Sequence, residues 1–146
     1  MADCIFCKII AREFSAHTVF ENDDVLAFLD IHPASRGHTM VIPKVHAERL
    51  DQLDEQHIGP LFAGVKTVMR LLERALQPGG LNVGWNHGWA AGQHVNHLHV
   101  HLIPRYAGDG GGGIQSLIHS SVREDLASIA TQIRSFIWFP APSRSS

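Results

Sequence analysis

The chain reads as an α+β domain built on a five-stranded antiparallel sheet, with one long helix and a further helix near its C-terminus. Three observations carry that reading. Short β-rich runs follow one another across compact turn signals, one long stretch repeats its apolar residues every three to four positions, and a late segment alternates apolar with polar residues. Strands joined mostly by short turns pair antiparallel, because a parallel pair needs a long crossover.

The first three strands are HTVFEN (17–22), VLAFLD (25–30) and HTMVIP (38–43). Asn22-Asp23-Asp24 and the segment from Pro33 to Gly37 separate them, so they read as a meander. Between 54 and 77, Ile58, Leu61, Phe62, Val65, Val68, Met69, Leu72 and Leu76 fall on one helical face. Asp54 stands at the N-cap position and Pro78-Gly79-Gly80 ends the run. Pro60 has no N–H and leaves one carbonyl without its donor, so the helix is expected to begin irregularly or later than 54. Two more strands follow, LNVGWNH (81–87) and VNHLHVHLIP (95–104). GDGGGG (108–113) is expected to be a mobile loop, since glycine loses most freedom on ordering. Val122, Leu126, Ile129, Ile133 and Ile137 place a last amphipathic helix at about 121–137. With no internal repeat, 1–146 reads as one domain whose core lies within about 4–105.

Twelve basic residues against fourteen acidic ones give a net charge of −2, with no basic run. That leaves no electrostatic footprint for nucleic acid or an anionic membrane and points to a small-molecule partner. The stretch MADCIFCKIIAREF sets Asp3, Lys8, Arg12 and Glu13 around a very short apolar run, so it reads as neither a signal peptide nor a membrane span, and a cytoplasmic location is expected. Both cysteines, Cys4 and Cys7, sit in one C-x-x-C. In a reducing compartment that spacing suggests metal or redox chemistry more than a structural disulfide.

The segment HVNHLHVHLIPR (94–105) holds four histidines. On a strand, His97, His99 and His101 project to one face and Leu98, Val100 and Leu102 to the other, the apolar face being the core side. An exposed strand face is normally filled with Thr, Ser, Lys or Glu, and three consecutive imidazoles have no packing rationale. Two chemistries remain. The histidines chelate one metal, or one is a nucleophile whose neighbours hold an anionic substrate.

The run HLHVHLI (97–103) resembles the H-φ-H-φ-H-φ-φ signature of the histidine triad family. CIFCKIIARE, VLAFLDIHPASRGHTMVIPKVH, the Asn86 segment and AGQHVNHLHVHLIPR resemble, in order, the landmarks of that family's nucleotide-binding branch over about residues 4–105. The resemblance implies an α+β fold with a five-stranded antiparallel sheet and usually a homodimer. It also implies action on nucleoside phosphates with release of a nucleoside monophosphate, and a purine nucleotide is the expected partner, although no residue here reads the base edge.

The resemblance assigns His99 as nucleophile. A neutral imidazole nitrogen can attack an α-phosphorus and form a nucleotidyl-histidine, provided the other ring nitrogen keeps its proton, usually on a backbone carbonyl. His101, about 7 Å further along the strand, is suited to donate to the non-bridging oxygens. Asn86 and Gln93 match positions where the family places neutral donors around the phosphate, although both also suit turns and strand ends. Gly92 lets backbone approach the substrate. On the nucleoside side, Asp30 is suited to accept both ribose hydroxyls, with Phe6, Ile9, Phe28, Ile31 and His38 around it, although Asp30 also suits a cap of the turn before Pro33. Phe28 and Ile9 read equally well as ordinary core.

C-x-x-C is half a zinc site, since a structural zinc takes four tetrahedral ligands. Relatives with this N-terminal motif imply a Cys2His2 arrangement completed here by His46 and His97. Such a closed site has no open position for water, so the zinc is expected to be structural and its loss to weaken stability more than turnover. A redox pair is the weaker alternative, because reactive C-x-x-C cysteines open a helix and none is expected at residue 4; two buried thiols without metal are a third reading.

One position departs from the pattern. Many relatives carry Ser or Thr after the glutamine of this motif, where this chain has His94. Imidazole can hand a proton to the leaving group, whereas a hydroxyl stays neutral; a solvent-facing strand cap is the equal alternative. Three functions therefore compete: a nucleotidyl-histidine hydrolase or transferase, a metallohydrolase, and a nucleotide-binding regulator with little turnover. A homodimer is expected to use helix 54–77 and strand 81–87, with Trp85 or Trp89 partly buried between the copies.

Overall fold

A computed structural model describes residues 3–137. Helix α1 (Ile5–Ile10) comes first, then β1 (Thr18–Glu21), β2 (Val25–Leu29), β3 (Thr39–Pro43), α2 (Glu55–Leu76), β4 (Gly80–Gly84), β5 (Val100–Arg105) and α3 (Leu126–Arg134). The five strands form one antiparallel sheet in the order β1-β2-β3-β5-β4. The chain gathers into two compact units, one through Ile114 that carries the whole sheet and one from Gln115 onward. Positions 1–2 and 138–146 of the expected 1–146 domain lie outside the described residues. Among the described residues no helix is long and apolar enough to cross a membrane.

The continuous apolar run VLAFL of β2 is buried on both faces, as unalternating strands usually are. Val25 and Ala27 join Val41, Val100 and Leu102 beneath α2, which contributes Leu61, Val65, Val68 and Leu72. Leu26 and Phe28 face the other way, with Met40 and Ile42, against Phe6 and Ile9 of α1. A Cβ on Gly64 would lie 2.6 Å from a Val25 methyl, so glycine is what lets α2 lie this close to β2.

Several expectations change. Helix α1 was not expected, because six residues are too few to display a period. Helix α2 starts at Glu55 and runs through Pro60; the carbonyl deprived of a donor belongs to exposed Gln56, where water reaches it. Strand β5 begins at Val100 rather than 95, since its ladder with β3 covers only Val100–Leu102. Upstream, residues 93–98 are held to the end of β3 and the chain after it by other bonds: Leu98 N–H to the Ala47 carbonyl at 2.7 Å, the His97 ring to Pro43 O at 2.9 Å and the Gln93 amide to Glu48 O at 2.6 Å. Around the glycine loop, Arg105 donates twice to Asp109 at 2.7 Å and also to Asn82 and the Gly112 carbonyl.

In the second unit, α3 is shorter than the expected 121–137. Asp125 caps it, its carboxylate accepting the Ser128 N–H at 3.0 Å, so the regular turns begin at Leu126.

Candidate active site

The alternation along 97–102 survives although the ladder starts at Val100. Leu98, Val100 and Leu102 enter the cluster beneath α2, while the His97 and His99 rings stand on the α1 side, 5.9 and 5.3 Å from the Phe6 ring.

His99 is buried, and its Nδ1 lies 2.7 Å from the His97 carbonyl. A carbonyl only accepts, so Nδ1 carries the hydrogen and Nε2 holds a lone pair. Burial holds the His99 imidazolium below its ordinary range, against the opposing pull of the His97 carbonyl and of Asp30. This is the state a histidine nucleophile needs at neutral pH.

His101 is fixed from behind. The Ala34 N–H donates to Nδ1 of His38 at 3.0 Å, so the neutral His38 ring carries its hydrogen on Nε2 and donates it to Nδ1 of His101 at 2.9 Å. His101 is then left with an Nε2–H, a donor. Burial, with His99 and His38 adding to it, pushes His101 down to about 4, so it acts as a neutral donor at pH 7. Burial also lowers His38, against the pull of Asp30, whose Oδ2 is 3.7 Å from His38 Nε2. The sequence reading puts His38 beside the nucleoside, whereas both of its nitrogens are engaged with Ala34 and His101. No periodicity could have shown this, because the deciding partner is a backbone amide.

Asp30, His38 and His101 bring three potential ligand atoms within 4.8 Å of one another. The Ala34 bond counts against a metal there, since His38 Nε2 bears a hydrogen while Nδ1 is an acceptor. A catalytic ion would require that bond to break, which weighs against the metallohydrolase alternative.

Cys4, Cys7, His46 and His97 form a second cluster, also within 4.8 Å. Cys4 is the N-cap of α1 and accepts the Cys7 N–H, so the first turn of the helix brings the two sulfurs together. The sulfur–nitrogen separations are 3.3–3.6 Å and the His46–His97 Nδ1 separation is 3.3 Å. A tetrahedral ion about 2.3 Å from sulfur and 2.0–2.1 Å from nitrogen would set edges of roughly 3.6 and 3.3 Å, so the donor set fits zinc. His97 donates Nε2–H to Pro43 O at 2.9 Å, which leaves Nδ1 as the free lone pair toward the sulfurs. The C-x-x-C does open a helix, contrary to the expectation used against a redox pair. Burial, and then Cys4, raise the Cys7 thiol to about 11.

A cavity of about 460 Å³ is walled by Phe6 and Ile9 of α1, by Phe28 and Met40, and by Ile31, which is 77% exposed; the Phe6 ring links it to His99, 5.3 Å away. Glu13 and Ser15 also line it, and nothing in the sequence pattern marked them. Its size and apolar walls suit a nucleobase. Asp30 stands in the chain between two of its lining residues, Leu29 and Ile31, one carboxylate oxygen accepting the His32 N–H.

Residues 88–93 make a tight turn with Gly88 and Gly92 at positive φ (+87° and +93°), which side chains rarely adopt. Gln93, 5% exposed, holds this turn together: Oε1 accepts the Gly88 N–H, and Nε2 donates to Glu48 O and Val95 O. Both of its N–H groups are therefore engaged with backbone, which corrects its expected role as a phosphate donor. Asn86 gives one N–H to the Gly92 carbonyl at 3.3 Å and keeps its other polar capacity. His94 is exposed, its ring edge-on to Trp89 with centroids 5.0 Å apart. Trp89 is 76% exposed, and Trp85 leans on Phe62 of α2 at 5.8 Å.

Known proteins resemble this chain in sequence and in fold. A family model described as the HIT domain matches residues 11–108. An uncharacterized HIT-like protein of Methanocaldococcus jannaschii is 50% identical over 107 residues, 73% of this chain and 82% of that one. The adenosine 5'-monophosphoramidase hnt1 of Schizosaccharomyces pombe is 35% identical over 92% of this chain and 98% of its own. The adenylylsulfatase HINT3 of Arabidopsis thaliana is 34% identical over 84% of this chain and 62% of its own. Among solved structures, a HIT family member from Bacillus subtilis superposes with a TM-score of 0.82 at 37% identity, covering 94% and 99% of the two chains. A zinc-bound histidine triad protein from Mycobacterium smegmatis gives 0.72 at 32% identity, covering 92% and 97%. With the sheet order, the three alternating imidazoles and a family match over most of its length all agreeing, the chain belongs to the HIT domain family.

Proposed function

We propose that the protein is a nucleotidyl hydrolase or transferase that cleaves nucleoside phosphates at the α-phosphorus through a covalent intermediate on Nε2 of His99. The observation that carries this reading is the bond from His99 Nδ1–H to the His97 carbonyl, which leaves Nε2 as the free nucleophile. The relatives named as a phosphoramidase and an adenylylsulfatase act on substrates of this class.

In the first step the Nε2 lone pair attacks phosphorus, and the leaving group departs with the bonding pair and takes up a proton. In the second, water adds to phosphorus, His99 leaves, and a nucleoside monophosphate is released. His101 Nε2–H and Asn86 face the phosphoryl oxygens, Asp30 holds the ribose, and the cavity beside Phe6 takes a purine. A zinc ion on Cys4, Cys7, His46 and His97 organises the fold, and a reducing cytoplasm keeps those thiols able to bind it.

The test is a product panel: dinucleoside polyphosphates, nucleoside phosphoramidates and nucleotide sulfates, with products identified by mass spectrometry. Release of nucleoside monophosphate supports the enzyme; tight binding without release from any of them favours the regulator.

Three further outcomes are expected. His38→Phe removes the group that fixes the His101 hydrogen and lowers kcat about tenfold to a hundredfold, with nucleoside monophosphate affinity nearly unchanged, as steady-state kinetics and calorimetry would read. His94→Ser slows substrates with amine leaving groups more than those losing phosphate or sulfate; identical leaving-group dependence in variant and wild type would remove His94 from the chemistry. The chain forms a homodimer through α2 and β4, since β4 is an unpaired sheet edge and Trp85 lies partly exposed beside Phe62. Sedimentation at micromolar concentration is expected to give the dimer mass, and a monomer mass would end that proposal.

A further inference from the structure

We propose that the Cys4–Cys7–His46–His97 cluster and the nucleoside cavity form one linked unit, with Cys4, Cys7 and His97 acting as positioning residues for the nucleotide site. The inference rests on the nucleotide reading above and goes beyond a purely structural metal.

Two covalent paths join the sites. The first is α1. Six residues do not hold a helix by themselves, so α1 depends on what it is fastened to. Its sulfurs belong to the ligand cluster, while Phe6 and Ile9, from the same two turns, wall the cavity, and the Phe6 ring touches His99. The second path is His97. Its imidazole offers Nδ1 to the cluster, and its own carbonyl takes the hydrogen of the nucleophile at 2.7 Å. Without an ion, the cluster is joined by sulfur–nitrogen contacts of 3.3–3.6 Å, which are weak hydrogen bonds. With zinc bound, four ligand bonds fasten α1 to His46, after β3, and to His97. Zinc occupancy therefore holds both the cavity wall and the carbonyl that orients His99.

Linkage makes the coupling reciprocal. The factor by which zinc tightens nucleotide binding must equal the factor by which nucleotide tightens zinc binding, and factors of about 5 to 150 are typical between coupled sites. The experiment uses full-length protein and GMP or AMP as the probe. Its first arm measures the nucleotide dissociation constant in zinc-loaded and chelator-stripped protein, with amide exchange in residues 5–10 and in α2 followed in parallel. The expected result is about tenfold weaker binding after stripping, with α1 amides exposed and α2 amides still protected. Its second arm needs no folded apoprotein: zinc loss from loaded protein into excess chelator is timed with and without saturating nucleotide, and nucleotide is expected to slow it about tenfold. Equal nucleotide affinities with α1 still protected, or a zinc-loss rate indifferent to nucleotide, would overturn the proposal. Zinc-loaded protein that binds neither nucleotide would instead overturn the nucleotide reading.

Discussion

His99→Asn is expected to fold normally, bind a nucleoside monophosphate within a few-fold of wild type and lose turnover by on the order of 10⁴-fold. The size follows from the chemistry, because removing a nucleophile removes the covalent route and leaves only what positioning and donors can do for direct attack by water. Retention of binding follows from the architecture. The cavity is walled by Phe6, Ile9, Phe28, Met40 and Ile31, of which only Phe6 touches the His99 ring, and Asp30 is held by the His32 amide. Steady-state rates with calorimetric affinity check both halves, and a variant keeping a tenth of wild-type turnover would contradict the assignment.

The second large effect concerns stability. Removing the metal, or replacing Cys7 by serine, is expected to lower the melting temperature by on the order of 10 °C, because a closed four-ligand site contributes several kcal/mol to folding. The ligands bring together α1, the segment after β3 and the segment before β5, which share few regular ladder bonds there. Cys7, raised to about 11 by burial and by Cys4, must lose its proton to bind, so metal affinity is expected to fall as pH is lowered. Calorimetric scans with and without chelator test this, and an unchanged melting temperature would count against a bound metal in the native protein.

Much of the framework is legible in the sequence because periodicity reports faces. The unalternating apolar run of β2 identifies a strand buried on both sides, the three-to-four spacing over 58–76 identifies α2, and the alternation from His97 to Leu102 separates imidazoles from core even where no ladder forms. What sequence reasoning missed depends on individual atoms or on length. Helix α1 is too short to show a repeat. The tautomers of His38 and His101 are set by the Ala34 amide, and the two N–H groups of Gln93 are directed to the Glu48 and Val95 carbonyls. A motif can say that a glutamine or a histidine stands at a place, but its hydrogen-bonding capacity there is decided by backbone groups that the chain brings in from elsewhere.

The central claim is that phosphorus becomes bonded to Nε2 of His99, and the most direct measurement is peptide mapping by mass spectrometry of enzyme quenched within milliseconds of mixing with substrate. A nucleoside monophosphate adduct on His99, acid-labile and absent from His99→Asn, is the predicted result. Turnover with no adduct at any early time, or an adduct on His97, His101 or another residue, would contradict it.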